Sequence, residues 1–181
     1  MMKKDVNAVE KVRGSVINGF FKYVKKKWGK DGVAELEKDV GFNHSQIKDG
    51  EFYDRELLSS VLRWISEKKG MDAVKEGGRY TVKDLGLFKY LLMWSSLERI
   101  IARAMTIYKE LYKYGSVRAQ YEEDQIIIEM RDTPNRIKED CAAWLGAYIG
   151  LTELTHTKAD VVEEKCVFKG DDACVYKIYL K

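Results

Sequence analysis

The sequence predicts an α+β fold: a helical N-terminal part, then an antiparallel sheet in β-β-α-β-β order packed on helices. Three observations predict it. Up to residue 114 the apolar residues recur at helical spacing. From Val117 onward, β-rich runs come in pairs joined by short turns, and such pairs are antiparallel. One helical segment, begun at Thr133-Pro134, separates the two pairs. With 181 residues, 45% of them apolar, the chain can bury a core without covalent staples.

Residues 1–13 are polar. From Ser15, the side chains of Val16, Ile17, Phe20, Phe21, Val24 and Trp28 share a helical face, and Gly29 ends the run. Val33, Leu36 and Val40 mark a second helix over 32–40, closed by Gly41. Residues 42–53, rich in Asn, Ser, Asp and Gly, read as a loop. Asp54 caps a third helix whose stripe is Leu57, Leu58, Val61, Leu62 and Ile65, and which ends at Lys68-Lys69-Gly70. A short helix over 71–76 is broken by Gly77-Gly78. Thr81 caps the next, with Val82, Leu85, Phe88, Leu91 and Leu92 at helical intervals. Ser95 or Ser96 caps the longest helix, 97–114, and Gly115 closes it. Strands 117–121 and 125–130 meet through Glu122-Glu123-Asp124. The helix begun at Pro134 carries Ile137, Cys141, Trp144, Leu145, Tyr148 and Ile149, and its exit begins at Gly150. A second hairpin covers 159–168 and 173–180. The break near 77–81 divides the chain into a helical segment, 1–78, and an α+β unit, 79–181; one continuous domain is the alternative division.

The net charge of +3 is spread through Lys/Glu-rich segments, which argues against a nucleic-acid partner. The densest basic run, Lys22 to Lys30, reads as a solvated helix end. No run of ~18 apolar residues occurs, so no membrane span is expected. The opening Met1-Met2-Lys3-Lys4-Asp5 has no apolar signal core, so a cytoplasmic location with reduced thiols is expected. Three cysteines is also an odd count for a disulfide framework.

Those cysteines fall in the last 41 residues of the chain, where the chemistry concentrates. Cys166 and Cys174 flank the Gly170-Asp171-Asp172 turn, and an antiparallel hairpin brings such positions to roughly 4.5–5.5 Å between Cα atoms. That separation suits two ligands of one metal, and it also suits a cross-strand disulfide. Cys141 shares a helix face with Trp144, Leu145 and Tyr148 and points inward. Strand alternation puts Glu164, not Glu163, on the face of Cys166, so Glu163 needs a bulge to join it. His156 is a further candidate ligand. Three buried thiols acting as small apolar residues is the bland alternative.

The segment from Cys141 to Tyr179 resembles the end of the 4-vinyl reductase domain, in its helical cysteine, Glu163-x-x-Cys166, Gly170-Asp171 and Cys174-x-Tyr176. That domain belongs to a superfamily of ligand-binding domains with phenol-sensing domains, haem nitric-oxide-binding domains and Golgi transport-particle subunits. The resemblance implies a structural zinc held by Cys141, Glu163, Cys166 and Cys174, with Glu164 in reserve. It also implies an apolar or aromatic ligand between helices and sheet, lined by Trp94, Tyr108, Trp144 and Tyr148. The function expected is then a non-catalytic, sensor-like module, with no catalytic residues, acting through another protein or as a homodimer. Three alternatives stand beside it: a tetrapyrrole-handling protein, a haem-based gas sensor and a transport-particle-like interaction subunit. The haem alternative needs an axial ligand, and the histidines, His44 and His156, lie in a polar loop and ahead of a strand; the Tyr-x-Ser-x-Arg signature of haem nitric-oxide-binding domains is also read as missing.

Overall fold

The computed structural model describes residues 10–84, 96–133 and 135–181. Its elements are β1 (Lys11–Arg13), α1 (Gly14–Val40), β2 (Phe52–Asp54), α2 (Arg55–Lys69), α3 (Met71–Lys83), α4 (Leu97–Ala102), α5 (Ala104–Leu111), β3 (Ser116–Tyr121), β4 (Gln125–Arg131), α6 (Lys138–Leu154), β5 (Ala159–Lys165) and β6 (Cys174–Leu180). The α+β expectation holds. β3, β4, β6 and β5 form a four-stranded antiparallel sheet in that order. The side chains of Ile126, Ile128, Met130, Tyr176 and Ile178 alternate onto its inner face and are at most 1% exposed. They form one core cluster with the three cysteines; a second gathers residues of α1, α2 and α3.

Several elements differ from expectation. Helix α1 runs through Gly29, which sits at φ 71°, ψ −163° and kinks it instead of ending it. The loop over 42–53 ends in β2, which pairs with β1, a strand too short for a periodic signal. Helix α3 continues through Gly77-Gly78, and Thr81 is a buried residue within it, not a cap. The long helix expected over 97–114 is two, broken at Arg103 (φ −107°, ψ 8°). Helix α6 starts at Lys138 and passes through Gly150. The helix expected around Leu85, Phe88, Leu91 and Leu92, and the start at Pro134, lie outside the described residues. The Asp54 and Ser96 caps are present: Asp54 accepts from the Glu56 N–H and Ser96 from the Arg99 N–H.

Two contacts fix α6, the helix that ties the helical part to the sheet. It crosses α3 backbone on backbone: a Cβ at Gly146 would lie 1.8 Å from the Lys75 carbonyl oxygen, and one at Gly78 2.0 Å from that of Ala143. Glycine is what lets the axes approach so closely. At its first turn, Asp140 accepts from the Ile137 N–H at 3.0 Å and is paired with Arg55. Arg55 also meets Glu10 at 3.3 Å and lies over the Tyr114 ring. Burial pulls the Arg55 guanidinium down, but Asp140, Tyr114 and Glu10 outweigh it and hold the charge on.

Candidate functional site

Helix α6 carries both features of interest, a thiol cluster at its first turn and an apolar cavity along its middle. Cys141 comes from that turn, Cys174 opens β6 opposite Met130, and Cys166 follows β5. All three are free and buried. Cys141 Sγ is 3.7 Å from Cys174 Sγ and 3.6 Å from Cys166 Sγ. Ligand atoms of Cys141, Glu163, Cys166 and Cys174 all fall within 4.8 Å of one another. All three thiols are free, so the cross-strand disulfide between Cys166 and Cys174 is not formed. A tetrahedral ion with metal–sulfur bonds of about 2.3 Å has sulfur–sulfur edges of about 3.8 Å, close to the observed spacing.

The choice between the two glutamates is made by the backbone. The β5–β6 register shifts between Glu163 and Lys165, the irregularity that strand alternation required if Glu163 was to join the cysteines. Glu163 Oε1 is buried without a hydrogen-bond partner, while Glu164 is paired with Lys177 at 2.7 Å. His156 is exposed, at φ 54°. Gly170-Asp171 shapes the turn: Gly170 is left-handed (φ 94°), and Asp171 accepts from the Cys166 N–H at 2.8 Å. The Val167 N–H donates to Cys174 Sγ at 3.4 Å. The Cys174 thiol is pulled down to about 6, first by the hydrogen bond from Cys141 and then by Val167 and the Arg136 cation. Cys141 is pushed up, as the donor of that bond and by burial.

Beyond the thiols, a cavity of about 110 Å³ lies between α4, α5, α6 and the sheet. Of the residues named for a ligand pocket, Tyr108, Trp144 and Tyr148 line this cavity, and Trp94 lies outside the described residues. Their rings lie in series, Tyr108 tilted against Trp144 at 5.8 Å and Trp144 stacked on Tyr148 at 5.7 Å. Tyr112, absent from the expected lining, stands 5.0 Å from Tyr108 and 5.2 Å from Trp144; its i+4 spacing from Tyr108 was the available signal. The Tyr108 hydroxyl is buried without a partner, and burial pushes its pKa up.

No family model matches the chain, and no curated protein matches its sequence. Solved structures do match. An H-NOX protein from S. oneidensis in the Fe(II)NO ligation state superposes with a TM-score of 0.76 at 17% identity, over 93% of this chain and 99% of that one. The fold is that of H-NOX proteins. An oxygen-binding H-NOX domain related to soluble guanylate cyclases, in its oxygen complex, gives 0.72 at 19%, over 93% and 95%. A third, described as probing heme distortion in the H-NOX family, gives 0.73 at 20%, again over 93% and 95%.

These neighbours overturn the expectation of a structural zinc as the cofactor, because the group named for H-NOX structures is haem and its iron. Haem meets this chain's residues on one count and misses on two. The cavity wall is apolar and offers tyrosines, among the side chains that hold haem iron elsewhere. It offers no histidine: His44 stacks on Phe21 and bonds to Glu37 at 2.6 Å, and His156 is exposed. The volume of about 110 Å³ also falls below the roughly 300–1,000 Å³ of cofactor-sized pockets. The Tyr-x-Ser-x-Arg signature of haem nitric-oxide-binding domains, expected to be missing, is present as Tyr114-Gly115-Ser116-Val117-Arg118. Its members diverge here, with Tyr114 under Arg55, Ser116 3.4 Å from Asp132 and Arg118 exposed.

Proposed function

We propose that the chain is a non-catalytic, sensor-like ligand-binding module whose occupant lies in the cavity between α4, α5, α6 and the sheet. The observation that supports this is the apolar chamber ringed by stacked aromatics. Among possible occupants, haem in a gas sensor draws more support from the fold neighbours than an aromatic ligand beside a zinc. A second reading, a small apolar or aromatic molecule, is favoured by the placement of both histidines, neither of which lines the cavity. The chain's own contribution is the same in each case: the aromatic wall excludes water and orients a flat molecule. The test is titration with haem and, separately, with 2-naphthol, followed by tryptophan fluorescence and visible absorption. We expect saturable 1:1 binding, weakened at least tenfold by Ala147→Leu, which fills the cavity. A Soret band marks the haem reading, and saturable naphthol binding without haem uptake marks the second. No saturable binding of either probe overturns the module itself.

The likeness to the 4-vinyl reductase domain rests on the Cys…Glu-x-x-Cys…Cys order, and what we carry from it is the ligand set. Cys141, Glu163, Cys166 and Cys174 form a site for a thiophilic metal ion, as sulfur-rich tetrahedral donors favour. Cobalt(II) added to the protein should give sulfur-to-metal charge-transfer absorption that Cys174→Ser abolishes; unchanged absorption in the mutant contradicts the site. We read the chain as one continuous domain because α3 runs through residue 78. Signalling would then pass through self-association or contact with another protein, read as a ligand-dependent change in elution volume. Among the described residues no helix is long and apolar enough to cross a membrane.

A further inference from the structure

A second cavity, of about 70 Å³, lies against the first, on the side of α1, α2 and α3. The two share Val82, Leu111, Tyr112, Trp144 and Ala147 as walls. Two of these shared walls are aromatic side chains, Tyr112 and Trp144, 5.2 Å apart and inclined at 49°. Side chains can change rotamer to admit a ligand at far lower cost than main chain can move. Each cavity alone is smaller than the roughly 150 Å³ engineered cavity that takes up benzene. Thr81 stands on the wall of the smaller one, 4% exposed, with its hydroxyl buried and lacking a hydrogen-bond partner. Helical threonines usually bond back to a carbonyl one turn earlier, and a buried hydroxyl that forgoes this is uncommon.

We propose that the two cavities are the ends of one chamber, that Tyr112 and Trp144 form a movable partition between them, and that the occupant is a flat two-ring molecule with a hydrogen-bonding group at the end that reaches Thr81. This rests on the proposed ligand-binding role of the larger cavity and names the class of its ligand. The apolar ring nearer the sheet stacks on Tyr148 and Tyr108, and the far ring displaces the partition and presents its polar group to α3.

The test is competition binding of phenol, 2-naphthol and 2,6-dihydroxynaphthalene to the full chain and to Thr81→Val, a nearly isosteric change. We expect 2,6-dihydroxynaphthalene to bind at least tenfold more tightly than phenol. Thr81→Val should cut that affinity about five- to tenfold, the range of one lost hydrogen bond, and leave phenol unchanged. Equal affinity across the series, or an equal loss for every probe in Thr81→Val, overturns the joined chamber. Haem uptake with no binding of the two-ring probes overturns it as well. Failure of all probes, haem included, sinks the ligand-binding role and the joined chamber with it.

Discussion

Replacing Gly146 by alanine should destabilise the protein strongly, although it swaps a poor helix former for the best one. The added Cβ would sit 1.8 Å from the Lys75 carbonyl oxygen, 2.7 Å from its carbon and 3.0 Å from the Arg79 nitrogen. All three are backbone atoms, so no rotamer change relieves the overlap. A carbon–oxygen contact needs about 3.3 Å, so α3 and α6 must part by roughly 1.5 Å. Overpacking of a core costs about 1–3 kcal/mol when side chains can adjust, and this site belongs at the top of that range or above it. Alanine's helix propensity returns at most about 1 kcal/mol. The net loss is about 2 kcal/mol or more, a fall in Tm of roughly 4–8 °C for a chain of this size. Urea unfolding followed by circular dichroism measures it, with Gly50→Ala, which has nothing within 4 Å, as the neutral control. A Gly146→Ala protein within about 0.5 kcal/mol of the parent, the ordinary scatter of harmless substitutions, would refute the close crossing. The same parting would shift Trp144 and Tyr148, so ligand affinity should fall alongside stability.

Two other perturbations have definite expectations. Arg55→Met leaves Asp140 and Glu10 buried without their cation, which should cost roughly 3–5 kcal/mol in urea unfolding; replacing all three by apolar residues should recover most of it. A near-neutral single mutant contradicts the buried pair. For Glu153, burial raises the carboxyl, but Arg79 and Lys83 outweigh it and hold the pKa below the usual 4.5. Its contribution is therefore present above pH 4.5 and lost as pH falls through the lowered value. Glu153→Gln should cost roughly 0.5–1 kcal/mol at about pH 7, discounted for its partial exposure, and progressively less as pH falls below 4.5; a cost that does not shrink on acidification contradicts the pairing.

How much of this could be read from residues alone differs by element. The sheet was legible because β-rich runs with short turns leave few alternatives, and Cys141 was placed inward by its i+3, i+4 and i+7 neighbours Trp144, Leu145 and Tyr148. Glu163 was reachable by resemblance but not by alternation, since one bulge reverses the face on which a side chain lies. Gly77-Gly78 reads locally as a break; only the approach of α6 reveals the glycines as packing surface. The second cavity was out of reach, because Thr81 and Tyr112 meet it from elements far apart in the chain. The zinc expectation failed for another reason. A ligand set fixes which donors meet but not which cofactor the fold neighbours carry, and the residue-level signal toward haem, the Tyr-x-Ser-x-Arg run at 114–118, lay outside the cysteine segment.

Crystals grown with 2-naphthol and, in a parallel drop, with haem provide the most direct measurement of whether the aromatic-walled chamber holds a ligand. Flat density against Trp144 and Tyr148 is the result predicted. Side chains closed over the space, with no added density from either compound, would contradict the ligand-binding role.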